Sequence, residues 1–137
     1  MKKTFLSVDL GAGSGRVIAA VYDGRKIAME TVNRFDNSPV ELNGHIFWNI
    51  PSLVANIRAG LSAAKAKYGE IAAVGVDTWG VDFGFIARDG SILGNPIHYR
   101  DKRTEGMMDV AFKLVPREEI YKMTGIQFMN LNTLYQL

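Results

Sequence analysis

The sequence predicts an α/β domain in which helices pack on a mixed central sheet. Three observations predict it. Residues 4–35 hold three β-rich runs separated by tight glycine turns, a segment of helical period follows from Pro51, and a continuous apolar run of strand length comes next.

The first run, 4–10, is short and apolar and ends at a carboxylate, Asp9, before a turn over Gly11-Ala12-Gly13-Ser14-Gly15. Residues 16–22 are rich in β-branched side chains and close on Asp23-Gly24, a strong hairpin signal. A third strand spans 26–35, with Ile27, Met29, Thr31 and Asn33 alternating against Ala28, Glu30, Val32 and Arg34. Asn37-Ser38-Pro39 and Asn43-Gly44 mark turns, and 45–48 reads as a brief strand. From Pro51 the period changes, with Leu53, Ile57, Leu61, Ala64 and Tyr68 on one helical face and Gly69 as the stop. Residues 71–77 form the continuous apolar run, the pattern of a strand buried on both faces, and it too ends on a carboxylate, Asp77. Strands are expected over 81–87 and 96–99 about an Asp89-Gly90 turn, then helices over 104–114 and 117–123. This β-β-β-α-β-α order is the ribonuclease-H-like, or actin-like ATPase, layout rather than an alternating βαβ sheet.

Composition narrows the function classes. With 137 residues, 47% hydrophobic and 22% charged, the chain is neither collagenous nor low-complexity. The absence of cysteine excludes a disulfide framework and any thiolate metal site. Apolar runs are too short to span a bilayer, and the two N-terminal lysines precede no long apolar stretch, so a cytoplasmic location without membrane partners is expected. The +2 net charge comes from scattered Lys and Arg, which argues against a nucleic-acid partner. The last residues, from Leu131, carry no terminating signal and read as cut within an element.

Two carboxylate segments carry the chemistry. In Val8-Asp9-Leu10-Gly11-Ala12-Gly13-Ser14-Gly15-Arg16, small residues would let successive backbone N–H groups converge on phosphate oxygens. Asp9 would stand beside a hydrated Mg²⁺, and Arg16 would add charge to the same pocket. A plain glycine-rich hairpin is the alternative. A dinucleotide fingerprint fails on glycine spacing, and a P-loop fails for want of Gly-Lys-Ser/Thr. In Val76-Asp77-Thr78-Trp79-Gly80-Val81-Asp82-Phe83, the position just after a strand suits a ligand crevice. Gly80 either admits a small ligand or makes a bulge, and Trp79 either shields the ligand or fills the core. Tyr99-Arg100-Asp101-Lys102-Arg103 either orients a polar ligand or forms a solvated helix entrance. His45 and His98 read as structural, and the methionines as gap fillers.

Together with Asn43-Gly44 and Phe47-Trp48-Asn49-Ile50, with Thr124-Gly125-Ile126-Gln127-Phe128, and with Asn132-Thr133-Leu134-Tyr135-Gln136-Leu137, these segments closely resemble the FGGY carbohydrate kinases. Asp77-Thr78-Trp79-Gly80-Val81-Asp82-Phe83 points to the branch that phosphorylates L-rhamnulose. Asn49 stands where that branch usually has Asp, and Gly13 where Ser is common.

The resemblance implies ATP-dependent conversion of L-rhamnulose to L-rhamnulose 1-phosphate in rhamnose catabolism, with ATP and Mg²⁺ as cofactors. Ala12, Gly13, Ser14, Gly15 and Arg16 match the nucleotide-phosphate loop, Asp9 the Mg²⁺-side carboxylate, and Gly80 the sugar-contacting glycine. Trp79, Asp82, Tyr99 and Arg100 would be neighbours of the sugar. The resemblance also implies that the catalytic Asp and the adenine-binding half belong to the remainder of a longer chain. The 137 residues would then be the N-terminal part of the first of two domains, inactive alone. The alternatives are a kinase of the same family acting on another ketose or polyol, and a ribonuclease-H-like nuclease using Asp9, Asp77 and Asp82 as a metal cluster.

Overall fold

A computed structural model describes residues 2–137, which form two compact units. One unit contains the chain up to Ser38 together with Asn49–Gly80; the other contains Pro39–Trp48 and Val81–Leu137.

The first unit is a four-stranded mixed sheet covered on one face by a helix. Strands β1 (Lys3–Leu10), β2 (Ser14–Tyr22) and β3 (Ile27–Asp36) form the expected meander, and β6 (Ala73–Asp77) adds in parallel beside β1, giving the order β3-β2-β1-β6. The β2–β3 turn forms because Asp23 Oδ1 accepts the N–H groups of Arg25 and Lys26, each at 2.8 Å, while Gly24 takes φ 101°. Helix α1 (Ile50–Tyr68) starts where the Asn49 side chain accepts the Ser52 N–H at 3.2 Å, and stops at Gly69 with φ 71°. Its apolar stripe packs as its period requires. Leu53, Ile57 and Leu61 meet Val8, Leu10, Val17 and Phe35, while Leu61 and Tyr68 meet Leu6 and Ala19.

Two expectations for this unit need correction. The alternation along 26–35 is interrupted, because the register slips between Val17 and Ile18 and leaves Val32 as an extra residue. Beyond this bulge the faces exchange. Val32 packs toward α1, and so do Asn33, whose Nδ2 donates to the Asn56 carbonyl at 3.0 Å, and Phe35. Strand β6 is not buried on both faces: it is an edge strand, with Val74 50% and Val76 66% exposed. Its apolar run states what the strand requires, but α1 lies over β1, β2 and β3 and leaves β6 uncovered.

The second unit contains a small hairpin, β4 (Val40–Leu42) with β5 (His45–Phe47), and two short helices, α2 (Met107–Leu114) and α3 (Arg117–Thr124). Its hairpin turns at Asn43-Gly44, both at positive φ. The strands expected over 81–87 and 96–99 are absent: only isolated bridges, Ile86 to Ile92 and Phe47 to Ile97, form there. Val81 cannot open a strand because its φ is 70°, and Pro96 has no N–H to extend a ladder. The helix expected from 104 begins at Met107, since Lys102–Thr104 closes first into a 3-10 turn capped by Asp101. Among the described residues no helix is long and apolar enough to cross a membrane.

Candidate functional site

In the first unit the strand ends bring three charged residues into one row. Asp9 lies opposite Arg16 on β2 and beside Asp77 on β6. Because Val8 and Leu10 face the core, the alternation of β1 turns Asp9 to the opposite face of the sheet. The Arg16 Nε lies 2.9 Å from Asp9 Oδ2, both side chains being partly exposed. Two carboxylates on neighbouring strands in register repel each other. Arg16 offsets this on one side only, leaving a donor set suited to a divalent cation, which takes one or two carboxylates plus water.

The turn that follows is shaped by close packing. Gly11, Gly13 and Gly15 all lie outside the left-handed region, so conformational freedom is not what glycine supplies here. A Cβ at Gly15 would overlap the Phe35 ring, whereas a Cβ at Gly13 would meet open space. Gly13 is thus an accessible stretch of backbone beside Ala12 and Ser14, as a phosphate-binding loop requires. Asn37, read from the sequence only as a turn residue, is buried and secures the glycine turn: its N–H donates to the Gly13 carbonyl at 3.2 Å and its Nδ2 to the Gly11 carbonyl at 2.9 Å. After β6, Trp79 packs against the Val8 and Phe35 cluster, the core-filling role, while Gly80 is exposed with free space where a Cβ would stand.

Asp82, Tyr99 and Arg100 belong to the second unit, around a residue that sequence reasoning did not single out. Trp48, 1% exposed, donates from Nε1 to Asp82 Oδ2 at 2.7 Å. The His98 ring stacks on the indole with centroids 4.0 Å apart, Tyr99 lies 4.5 Å from His98, and the Arg100 guanidinium sits 5.4 Å from the Tyr99 centroid. Asp82 follows a strained backbone position, Val81, a β-branched residue at φ 70°. The Val81 carbonyl accepts from Thr133 Oγ1 at 2.6 Å and from Gln136 Nε2 at 3.1 Å, which gives the C-terminal Asn132-Thr133-Leu134-Tyr135-Gln136 segment a role its motif did not disclose. A cleft of about 500 Å³ in this unit, lined by Phe47, Phe83, Phe85 and Ile97, does not include Asp82, Tyr99 or Arg100, so its size does not mark the chemistry.

Asp101, the centre of the expected charged cluster, is structural. Burial pushes its carboxyl up, but N–H groups of Ile46 at 2.8 Å and Arg103 at 2.9 Å, with His45, outweigh this and hold it below the usual range. Burial pushes His98 down, against the pull of Asp82 and Asp101. Its Nδ1 accepts the Arg100 N–H at 3.0 Å, which leaves the ring proton on Nε2. A neutral imidazole favoured in the folded state contributes stability that is present in full above the unfolded pKa of about 6.5 and is lost as pH falls through the folded value. Urea unfolding followed from pH 7 to pH 5 is therefore expected to show a falling midpoint, and His98→Gln should flatten that fall. An unchanged slope in the variant would remove His98 as its source.

Among the described residues no three His, Asp or Glu side chains are grouped to hold a metal ion. Residues 4–137 match the family model for the N-terminal domain of the FGGY family of carbohydrate kinases. A rhamnulokinase of Bacteroides thetaiotaomicron is 43% identical over 137 residues, which is all of this chain and 28% of that protein. The structure of a gluconate kinase from Lactobacillus acidophilus matches 99% of this chain and 27% of its own with a TM-score of 0.81 at 16% identity. A Plasmodium falciparum glycerol kinase with ADP matches 98% of this chain and 28% of its own, with a TM-score of 0.74 at 20% identity. These likenesses establish the ribonuclease-H-like, actin-like ATPase fold, and the chain spans 28% of the length of the curated relative. From Thr4 to its last residue, the chain belongs to the FGGY family of carbohydrate kinases.

Proposed function

We propose that this chain is the N-terminal part of a cytoplasmic sugar kinase that transfers the γ-phosphoryl group of ATP to L-rhamnulose. The observation that carries the reading is the row of Arg16, Asp9 and Asp77 at the ends of β2, β1 and β6, beside the accessible backbone of Gly13. Phosphoryl transfer depends on positioning and on neutralising charge, and this row supplies both signs, the carboxylates at the carboxyl ends of the parallel strands β1 and β6 and Arg16 near the start of the antiparallel β2. The branch of the family is supported by the Asp77-Thr78-Trp79-Gly80-Val81-Asp82-Phe83 run and by the rhamnulokinase relative.

In this reading the backbone of Ala12, Gly13, Ser14 and Gly15 and the Arg16 guanidinium hold ATP phosphate oxygens. Asp9, with Asp77 beside it, would hold Mg²⁺ through water, and the ion would neutralise phosphate charge when bound. Gly80, Asp82, Tyr99 and Arg100 contact the sugar, with Trp79 supporting Gly80 from the core. The attacking hydroxyl loses its proton to a carboxylate supplied by the remainder of the polypeptide, so the 137 residues alone bind their ligands incompletely and do not turn over. The partners are therefore a small sugar, ATP and the rest of the kinase chain, with no nucleic acid and no membrane.

The test is ATP-dependent phosphorylation by the full-length gene product, with rhamnulose, xylulose, fuculose and glycerol as competing acceptors. Rhamnulose is expected to give the highest kcat/KM. Preference for another acceptor would overturn the branch, and inactivity on all of them the activity itself.

A further inference from the structure

The turn between β1 and β2 is not closed by its own residues alone. Short hairpin loops normally close through a primed turn, with residues at positive φ. None of Gly11, Ala12, Gly13, Ser14 and Gly15 has positive φ. The Gly11 N–H does reach the Ser14 carbonyl at 2.9 Å. The Gly11 carbonyl, which would accept the return bond of such a pair, goes to Asn37 Nδ2 at 2.9 Å. Asn37 stands just past the end of β3 and 26 positions along the chain from Gly11, and it is only 5% exposed. The neighbouring hairpin needs no such help, since Asp23 and the left-handed Gly24 close it locally. Peptide geometry gives the clamp its consequence. Among the described residues no peptide bond is cis, so each carbonyl points opposite to the N–H that follows it. The Gly11 and Gly13 carbonyls both turn to Asn37, which sends the N–H groups of Ala12 and Ser14 away from it. Asn37 is on the buried side of the turn, whereas Gly11 and Gly13 are exposed and a Cβ at Gly13 would meet nothing within 4 Å. The two N–H groups therefore face the open side.

We propose that Asn37 is a positioning residue for the nucleotide, aiming the Ala12 and Ser14 N–H groups at phosphate oxygens before the nucleotide arrives. The inference rests on the sugar-kinase reading and extends it to a residue outside the matched phosphate loop. Donors fixed in advance bind an anion without an ordering cost at the moment of binding. Asn37 does not touch the nucleotide. Its side chain sets the Gly11–Ala12 peptide, and its backbone N–H, which survives any substitution but proline, sets the Gly13–Ser14 peptide.

The experiment measures binding of ADP, and of adenosine as a probe without phosphates, to the full-length gene product by calorimetry. KM for ATP and for the sugar is read alongside. Asn37→Ala should weaken ADP binding about 5- to 15-fold, the loss expected when one hydrogen bond to a charged group is misaligned, and raise the ATP KM by a similar factor. Adenosine affinity and the sugar KM should stay within about twofold, because neither depends on the turn's N–H groups. Should Asn37→Ala fail to fold, Asn37→Leu keeps the buried volume and lacks only the donor, with the same outcome expected. Equal weakening of ADP and adenosine, or a lowered thermal midpoint with ADP affinity unchanged, would assign Asn37 to the fold alone and overturn the positioning role. In an active wild type that result leaves the kinase reading standing. A wild type that binds no ADP and phosphorylates no sugar overturns that reading, and this inference with it.

Discussion

Replacement of Asp9 by Asn in the full-length gene product is expected to lower turnover about 100- to 1,000-fold, while the sugar KM stays within about threefold. Asp9 sits between an arginine and a second carboxylate, and Asn keeps its shape and one acceptor oxygen. What is lost is the charge that would hold a hydrated cation against the phosphates. The fold loses little, because the ion pair of Asp9 with Arg16 is partly exposed and such pairs contribute about 0–1 kcal/mol. The variant also removes the repulsion between Asp9 and Asp77. Its thermal midpoint should therefore equal or exceed that of the wild type. Normal turnover would remove Asp9 from the metal side, and a large fall in midpoint would assign it to the fold.

The second large effect is on stability. Gly60 lies in the middle of α1, where helix propensity alone favours Ala by about 1 kcal/mol. The packing says the opposite. A Cβ at Gly60 would stand 2.5 Å from Val17 Cγ2, 2.9 Å from Val17 Cβ and 3.0 Å from Asn33 Cβ. Two of these atoms are bonded to the backbone and cannot rotate aside, so the helix would have to lift from the sheet. Overpacking of this kind costs about 1–3 kcal/mol, and here the upper end applies because α1 carries the apolar cover of β1, β2 and β3. Gly60→Ala should thus destabilise by about 2 kcal/mol net, or about 8–16 °C in the unfolding midpoint for a unit of this size. A stabilised Gly60→Ala would mean that α1 does not lie this close to Val17.

Much of the first unit was legible because its determinants are local. Hairpins at Gly11–Gly15 and Asp23-Gly24 are encoded by turn residues, and α1 by Pro51, its apolar period and Gly69. Residues 81–99 misled for the opposite reason. Their composition is that of strands, but a strand needs a partner ladder, and Val81 and Pro96 prevent one from continuing. The bulge at Val32 was hidden as well, since an unbroken sequence alternation cannot reveal an extra residue opposite a neighbour.

The candidate site divides in the same way. Sequence alone determined which segments carry charge and small residues at strand ends: Asp9 with its glycine turn, Asp77 and Gly80, and the Asp82 and Tyr99-Arg100 positions. It also determined the family to which those segments point. Tertiary structure decided what those residues do to one another. It set Asp9 beside Asp77 in register, tied the turn to Asn37, and joined Trp48 to Asp82 across a separation of 34 residues. The physical reason is one of range. Turn chemistry and periodicity act over a few neighbouring residues, whereas strand register and a buried indole hydrogen bond exist only once distant segments have packed.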